Sequence, residues 1–261
     1  MERRGGHTCA VDSPEITVNR LAVMSVKPLI RVVTATRLPE AEFKRCPLGQ
    51  SLLRLSFDKR ICSAAAFENR AGLSEVFNRA LILAGDEEPD ILVFCHDDVR
   101  IDDIFLANHV LEGLQHFDVI GVAGAKTRQK NQLVWAGLVE NCDPSTFSSL
   151  IYTGALSGGV GSVSEDGTRG VDFFGLPPAE CELLDGVFLA VRRSTLVKNG
   201  IYFDQNFKFH FYDLDFCRNA RSKGLRLGTW PISITHEYTS AGYFSTEWRE
   251  AAQQYLAKWG E

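Results

Sequence analysis

Three polar side chains that could bind a cation follow directly on an apolar run in the first half of the sequence. The run ILVFC fills positions 91–95, and His96, Asp97 and Asp98 come next. Consecutive apolar residues are typical of a strand buried on both faces, as in a parallel sheet covered by helices. Ligands of such sheets bind beyond the carboxyl ends of the strands, and carboxylates there favour a divalent cation. The alternative is that Asp97 and Asp98 only cap the next helix, although two later aspartates are better placed to do so.

A second acidic group lies far along the chain, in the segment FKFHFYDLDFCRNARSKG. An apolar stripe at helical spacing ends at Gly224, a favourable C-terminal stop, which predicts a short helix with Asp213 and Asp215 in its first turn and His210 just before it. The helix dipole favours an ionised carboxylate there, so we expect Asp213 to stay charged and to accept a proton at neutral pH. Asp215 is explained equally well as a helix cap.

The third candidate is His236, which follows the last predicted strand near positions 231–235. A lone histidine is usually structural, but the hypothesis is that it converges with Asp98 and Asp213 at one edge of the sheet. A hard cation such as Mg²⁺ or Mn²⁺ binds carboxylate oxygens and leaves positions open for a diphosphate, and histidine suits Mn²⁺ better. A second carboxylate within ~3 Å of an attacking hydroxyl can act as general base, and Asp213 is the candidate.

Alternating strands and helices must position these groups. Strand-like runs occupy 29–35, 60–67, 91–95 and 119–122, and amphipathic helical patterns occupy 73–84 and 104–117. This alternation predicts an α/β fold with a mostly parallel central sheet and helices on both faces. Residues 1–27 show little periodicity and are expected to form an N-terminal extension to a domain at 28–261.

The region 126–182 interrupts the alternation. It is rich in Gly, Ser, Thr and Pro and contains the run SGGVGSVSEDG at 157–167, which has neither a P-loop nor a dinucleotide-binding spacing. Long irregular insertions are more often functional than accidental, so we interpret the region as a substrate lid or acceptor platform. Trp135, Phe173 and Phe174 are candidates for stacking on sugars there, although aromatic residues are more often core. Regular structure is expected to return with a strand at 183–191.

Composition bounds the class of protein. The chain has 261 residues, a net charge of −5 and a pI near 5.7, so it offers no general electrostatic reason to bind nucleic acid. Its seven cysteines include no CxxC pair, which favours reduced thiols in a cytoplasmic protein over a disulfide framework or a zinc site. No window approaches the ~18 apolar residues of a membrane span. Peripheral contact with a membrane stays open.

Taken together, the motifs resemble a known family. In order they are VVTATR, ENRAGLSEVFNRAL, DILVFCHDDV, GVAG, LLDGVFLAVRRSTL, FDQNFKFHFYDLDFCRNARSKGLRLG and ITHEYTSAGY. This order, over roughly residues 29–250, resembles the family-2-like branch of the nucleotide-sugar glycosyltransferases with the GT-A (Rossmann-like) fold. The resemblance implies a single such domain, with a nucleotide-sugar half at about 28–125 and an acceptor half at about 126–261.

The resemblance also implies roles for individual residues. The donor would contact Thr34, Thr36, Asn69, Asp97, Asp185 and Gly186. Asp98 with His236 would hold Mn²⁺ or Mg²⁺ on the donor diphosphate, and Asp213 would be the catalytic base. The chain departs from the family pattern at two places: His96 stands where the first acid of the DxD motif falls, and Tyr212 replaces the glutamate that usually precedes the base.

The function expected from these observations is metal-dependent transfer of a sugar from a nucleotide-sugar donor to a hydroxyl of a carbohydrate or glycolipid acceptor, with inversion, in polysaccharide biosynthesis. A nucleotidyltransferase and a catalytically inactive sugar-nucleotide-binding protein are the alternatives. The sequence identifies neither the donor base and sugar nor the oligomeric state.

Overall fold

The computed structural model of the chain describes residues 29–83, 89–139, 150–152, 154–164, 166–237 and 244–260. The predicted N-terminal extension, 1–27, lies outside these ranges. None of the described helices is both long enough and apolar enough to span a bilayer.

The strands of the described ranges, numbered in chain order, fall into three sheets. They are β1 (Ile30–Ala35), β2 (Ile61–Ala66), β3 (Ile91–Cys95), β4 (Val99–Ile101), β5 (Val119–Gly121), β6 (Ala123–Ala125), β7 (Gly137–Val139), β8 (Leu150–Tyr152), β9 (Leu156–Val163), β10 (Arg169–Gly175), β11 (Ala179–Cys181), β12 (Leu183–Leu184), β13 (Phe188–Arg192), β14 (Leu227–Thr229) and β15 (Ile234–His236).

The helices are α1 (Glu40–Phe43), α2 (Pro47–Arg54), α3 (Leu73–Leu83), α4 (Leu106–His116), α5 (Arg193–Asn199), α6 (Tyr212–Ser222) and α7 (Thr246–Trp259), with a 3₁₀ turn at Leu55–Phe57. Ser245 caps α7, since its side chain accepts from the amide of Trp248. No helix follows Asp98 directly, because β4 begins at the next residue. The interpretation of Asp97 and Asp98 as simple helix caps is therefore wrong.

The main sheet has seven strands in the order β11-β14-β5-β13-β3-β1-β2. Strands β1, β2 and β3 are mutually parallel, as is the pair β14–β5, whereas β13 runs antiparallel between β3 and β5. The sheet is thus mixed rather than purely parallel, and helices cover both of its sides, which confirms the predicted α/β class. All five residues of β3 are buried, as the apolar run predicts.

The antiparallel strand arises from a break in the predicted strand 183–191. Leu183 and Leu184 pair with β6 in a second sheet, whereas β13 joins the main sheet. Asp185 and Gly186 lie at the break between the two sheets, close to where β3 ends. The break therefore places the carboxylate of Asp185 near His96, instead of within a continuous strand.

The second sheet has the order β12-β6-β9-β15-β4, with β10 paired to β9. The prediction of an irregular insertion is wrong over 156–175, since β9 and β10 form an antiparallel hairpin there. The glycines of this run allow close backbone packing: Gly158 has φ +96°, and a Cβ added to it would lie 1.9 Å from the carbonyl oxygen of Val122.

An aromatic core ties the site to the main sheet. The Phe77 ring of α3 packs on Phe94 of β3 with centroids 4.7 Å apart, and Phe203 stacks on Phe216 of α6 at 4.5 Å. Full burial of a phenylalanine contributes roughly 2 to 3 kcal/mol. The amide of Asn78 brackets the backbone of Phe203 with bonds of 2.8 and 2.9 Å, so the segment that leads into α6 is fixed to α3.

Candidate active site

The pairing of β4 with β15 brings together two of the predicted metal ligands. Its register sets His236 opposite Val99, and the amide of Glu237 donates to the carbonyl oxygen of Asp98 at 2.9 Å. Asp98 Oδ1 consequently lies 3.2 Å from His236 Nε2, although 138 positions separate the two residues in the sequence. A strand pairing, not sequence proximity, creates this contact.

His96 completes a group that could hold a metal ion. Its Nδ1 lies 4.0 Å from Asp98 Oδ1, and one ligand atom from each of His96, Asp98 and His236 lies within 4.8 Å of the others. Asp98 Oδ1 is buried and lies 3.2 Å from His236 Nε2, so a cation that binds both groups would replace this contact. One carboxylate and two imidazoles fit a divalent cation that accepts both oxygen and nitrogen ligands, such as Mn²⁺.

The protonation states of this group suit metal binding. Burial lowers the pKa of His96 below its usual value, which favours the neutral imidazole that a metal requires. Burial by itself would raise the pKa of Asp98, but His236 and His96 beside it lower it, so the carboxylate is charged. Burial opposes the charged form of His236, yet the hydrogen bond and charge of Asp98 raise its pKa. A cation bound here would take the place of the proton on His236.

Asp213 reaches the same cavity from the first turn of α6. Phe211, the residue before the helix, has φ +65°, and its ring packs on Trp248 and Tyr255 of α7 with centroids 5.2 Å away in each case. This packing fixes the left-handed turn that aims Asp213. Asp213 Oδ2 accepts from the amide of Gly186 at 3.0 Å, and its Oδ1 accepts from the amide of Leu214 at 2.9 Å.

The ionisation of Asp213 differs from the sequence prediction. Burial, followed by the negative charge of Asp185, raises the pKa of Asp213 to about 7 despite the two amide hydrogen bonds that favour the ionised form. The helix dipole therefore does not keep this carboxylate fully charged at neutral pH. A pKa near the working pH is nonetheless the value that suits a general base.

These groups line one cleft of about 810 Å³. Its polar part contains His96, Asp98, Asp185, Asp213 and His236. Its other walls are largely apolar and include Leu133, Val134, Trp135, Leu156, Val160, Val171, Phe173, Phe174, Phe209 and Phe211. No lysine or arginine stands among the described residues that line the cleft, whereas four aspartates do: Asp98, Asp172, Asp185 and Asp213.

The apolar wall is built partly by the β9–β10 hairpin. Val171 and Phe173 point from the same face of β10 and are 71% and 63% exposed, which is unusual for large apolar side chains. Phe174 packs edge-on against the buried Trp135, with ring centroids 5.0 Å apart. Trp135 and Phe174 thus form a supported aromatic surface, and Phe173 is free to contact a ligand.

The other predicted donor residues lie outside the lining of this cleft. Thr34 and Thr36 are buried at the end of β1, and the amide of Asn69 donates to the carbonyl oxygen of Thr36 at 2.8 Å, so these three form one corner of the main sheet. Thr34 Oγ1 is buried without a hydrogen-bond partner. The carbonyl oxygen of Asp97 accepts from the amide of Leu48 at 3.2 Å. Donor contacts at Thr34, Thr36, Asn69, Asp97, Asp185 and Gly186 stay predictions.

The sequence left the part played by two members of the site open. His96 was a possible cation ligand after β3 but also a departure from the DxD motif, and Tyr212 appeared only as a replaced glutamate. In the structure the Tyr212 hydroxyl lies 2.7 Å from His96 Nε2, and the ring of Phe209 stacks on His96 with centroids 6.3 Å apart. The signal for His96 was its position directly after a buried strand; no local pattern points to a contact across 116 positions.

Comparison with known proteins places the fold. Protein-family models give no match to the sequence, and neither do the curated proteins. Solved structures do match. GalNAc-T7, solved with UDP, GalNAc and Mn²⁺, has a TM-score of 0.51 at 10% identity, over 88% of this chain and 48% of that one. The chain therefore spans about half the length of the GalNAc-T7 chain.

Two further structures were found. The catalytic domain of Drosophila β1,4-galactosyltransferase 7, solved with xylobiose, has a TM-score of 0.47 at 12% identity, over 87% of this chain and 80% of that one. TarS of S. aureus has a TM-score of 0.46 at 13% identity, over 88% of this chain and 40% of that one. The likeness to GalNAc-T7 is one of fold, and it shows that this chain has the GT-A fold.

Proposed function

We propose that the chain is a metal-dependent glycosyltransferase that moves a sugar from a nucleotide-sugar donor to an acceptor hydroxyl. The observation that carries the proposal is the convergence of two kinds of group in one cleft: a carboxylate with two imidazoles suited to a divalent cation, and a carboxylate, Asp213, whose pKa is about 7. A cation site can stabilise a departing nucleoside diphosphate, and a general base can activate the hydroxyl that displaces it.

Charge in the cleft explains why a cation is needed. Four aspartates and no lysine or arginine stand among the described lining residues, so a diphosphate would meet net repulsion from the protein alone. The donor set of His96, Asp98 and His236 supplies the site for Mn²⁺ or Mg²⁺. A divalent cation, when bound, neutralises the charge that develops on the departing diphosphate. GalNAc-T7, whose fold this chain resembles, was solved with UDP, GalNAc and Mn²⁺.

Asp213 is placed to activate the acceptor. The amides of Gly186 and Leu214 each donate to one oxygen of Asp213, which lines the cleft and has further lone pairs to accept a proton. Deprotonated, it takes the proton of an acceptor hydroxyl that attacks the anomeric carbon of the donor as the nucleoside diphosphate leaves. A single displacement of this kind inverts the anomeric centre. Asp185, at the break before β13, faces the same space and is the candidate for contact with the donor sugar.

The acceptor fits the apolar side of the cleft. Carbohydrate rings have one apolar face that stacks on aromatic side chains, and Trp135, Phe173 and Phe174 offer such surfaces. The exposed Val171 and Phe173 extend the same wall toward solvent, where the rest of a carbohydrate or glycolipid acceptor would lie. A cytoplasmic location and a role in polysaccharide biosynthesis stay predictions.

Thermal unfolding with a panel of nucleotide sugars, with and without Mn²⁺, tests the donor site. A ligand at ~100 times its dissociation constant adds about 2.7 kcal/mol of stability. We expect at least one nucleotide sugar to stabilise the protein in Mn²⁺ and to lose most of that effect in the Asp98→Ala variant. Asp172→Ala removes another carboxylate of the same cleft, one that is exposed on β10, and should keep the effect. A panel that shifts nothing contradicts the proposal.

Product analysis separates the transferase from the two alternatives. A glycosyltransferase releases a nucleoside diphosphate, whereas a nucleotidyltransferase releases pyrophosphate. A binding protein without turnover shows donor-dependent stabilisation and neither product. Release of nucleoside diphosphate that requires Asp213 supports the proposed reaction, and pyrophosphate without nucleoside diphosphate would replace it with the second.

A further inference from the structure

We infer that Tyr212 is a positioning residue for the metal centre: its buried hydroxyl selects the tautomer of His96 that presents a lone pair to the cation. The inference rests on the proposed metal site. Tyr212 is only 3% exposed, and its hydroxyl oxygen lies 2.7 Å from His96 Nε2 and 2.9 Å from the carbonyl oxygen of Gly186.

The direction of each hydrogen bond follows from donor and acceptor chemistry. The carbonyl oxygen of Gly186 can only accept, so the single hydroxyl proton of Tyr212 is donated to it. The hydroxyl oxygen must then accept the proton carried by His96 Nε2. A neutral imidazole has one N–H, so Nδ1 of His96 bears the lone pair. Nδ1 is also the nitrogen that lies 4.0 Å from Asp98 Oδ1, on the side of the proposed cation.

The tyrosine is held firmly enough to make this selection. Its ring lies in the aromatic core, with centroids 5.9 Å from that of Phe77 and 6.1 Å from that of Phe203. A tyrosine hydroxyl has an ordinary pKa of about 10, so it stays a donor over the working pH range. Outer hydrogen bonds of this kind typically change metal affinity 10- to 100-fold.

Gly186 connects this contact to the base. A Cβ added at residue 186 would lie 2.3 Å from the Tyr212 hydroxyl oxygen and 2.8 Å from Asp213 Cβ, so only glycine leaves room for both side chains. The carbonyl oxygen of Gly186 accepts from Tyr212, and its amide donates to Asp213 Oδ2 at 3.0 Å. Gly186 is thus hydrogen-bonded both to Tyr212, the partner of His96, and to Asp213, the carboxylate that would take the acceptor proton.

Two measurements on metal-free and Mn²⁺-titrated protein test the inference. The first is the ¹⁵N shifts of the imidazole nitrogens in ¹⁵N-histidine-labelled protein without metal, with the His96 signals assigned by their loss in His96→Asn. We expect the Nε2–H tautomer for His96 in the wild type. The Nδ1–H tautomer in the wild type would overturn the inference, and this result does not depend on the Tyr212→Phe variant.

The second measurement is Mn²⁺ affinity by calorimetry for Tyr212→Phe and, as matched control, Tyr255→Phe. Tyr255 is also buried, and its ring packs on Phe207 and Phe211 rather than on the metal group. We expect the dissociation constant for Mn²⁺ to rise about 10-fold or more in Tyr212→Phe and to stay within about 2-fold in the control. In the same variant the His96 signals should shift toward the other tautomer.

The outcomes separate this inference from the proposed function. If the wild type binds Mn²⁺ and Tyr212→Phe binds it equally well, the role of Tyr212 is wrong and the metal centre stands. If the wild type shows no saturable Mn²⁺ binding, the metal centre itself fails, and the inference fails with it. A drop in affinity of the same size in both tyrosine variants would indicate general loosening of the core and would also overturn the inference.

Discussion

Asp213 and Asp215 stand two positions apart in the first turn of α6, yet they do different things. Residues two apart on a helix point about 200° away from each other, so the helix sends one carboxylate into the cleft and the other to the opposite side. Asp213 accepts hydrogen bonds from two backbone amides, has no lysine or arginine partner in the described part of the chain, and has a pKa raised to about 7. Asp215 accepts from Lys258 Nζ at 2.7 Å and from Trp259 Nε1 at 2.6 Å.

The comparison shows that the consequence of burying a carboxylate depends on the charged group beside it. Burial raises the pKa of both aspartates, but the ammonium of Lys258 and the indole of Trp259 oppose the shift at Asp215, and Lys258 also contacts Asp204 at 2.8 Å. At Asp213 the neighbouring charge is Asp185, which adds to the shift. Asp215, paired with Lys258, therefore connects α6 to α7. Asp213, beside a second carboxylate, has a pKa at which it can exchange a proton.

The largest effect expected to distinguish Asp213 from Asp215 is on the rate of sugar transfer. Asp213→Asn should lower the rate of sugar transfer about 10³-fold, because the amide cannot accept the acceptor proton, while Mn²⁺ binding is kept. Single-turnover transfer at saturating donor and acceptor measures the loss, and calorimetry measures metal binding. Asp215→Asn is the matched control, with a rate per folded molecule within about 3-fold of the wild type. Equal losses in the two variants would remove the distinction between the two aspartates.

The sequence predicts much of this arrangement but not all of it. The strands β1 and β3 and the helix α3 follow from local periodicity, and the order of motifs indicates the GT-A fold. The antiparallel course of β13 could not be predicted, because strand direction depends on pairing with β3 and β5, which are distant in sequence.

The chemistry divides in the same way. Placing Asp98 and Asp213 at one edge of the sheet follows from their positions after a strand and at a helix start. The contact of His96 with Tyr212 does not, since it requires knowing which side of α6 faces β3. The pKa of Asp213 could not be predicted from the sequence either. Its position at the start of a helix favours the charged form, and only the structure shows the burial and the Asp185 charge that outweigh this effect.

The next largest effect is on folding stability, at Asp215. Lys258→Met should lower the free energy of unfolding by about 3 kcal/mol, because it leaves a buried carboxylate without its cation. Trp259 Nε1 would still donate to Asp215 Oδ1, but Oδ2 has no hydrogen-bond partner, so the buried charge would be only partly compensated. Urea unfolding measures the change. Lys44→Met alters an exposed lysine and should stay within about 0.5 kcal/mol; an equally small change in Lys258→Met would show that the pair contributes nothing.

A smaller effect of opposite sign is expected at Asp213. Its pKa is higher in the folded protein, about 7, than its ordinary 3.8, so the stability it contributes is complete below pH 3.8 and is lost as the pH rises through 7. Asp213→Asn removes this dependence. In metal-free protein the variant should be more stable than the wild type by roughly 2 kcal/mol at pH 8, after allowance for screening by water in the cleft.

Urea unfolding at pH 8 and pH 5 without metal measures that difference. The advantage of the Asn variant should shrink as the pH falls, because the wild-type carboxyl is then neutral as well. A variant that is less stable than the wild type at pH 8 would mean that Asp213 is paired in the folded state, as Asp215 is, and that the contrast between them is absent.

The smallest expected effect is on the pH profile of transfer. A base with a pKa of about 7 must be ionised to work, so kcat should rise about 10-fold between pH 6 and pH 8 and then level off. The charge of Asp185 helps to raise this pKa, so Asp185→Asn should move the rise to lower pH. Asp185 also faces the donor site, so its substitution can change the maximal rate for other reasons. The midpoint of the profile is therefore the measure of its effect on the pKa of the base. A midpoint unchanged by Asp185→Asn would show that another group controls the profile, whereas a lower midpoint identifies the cleft pair of carboxylates as the proton-exchanging unit.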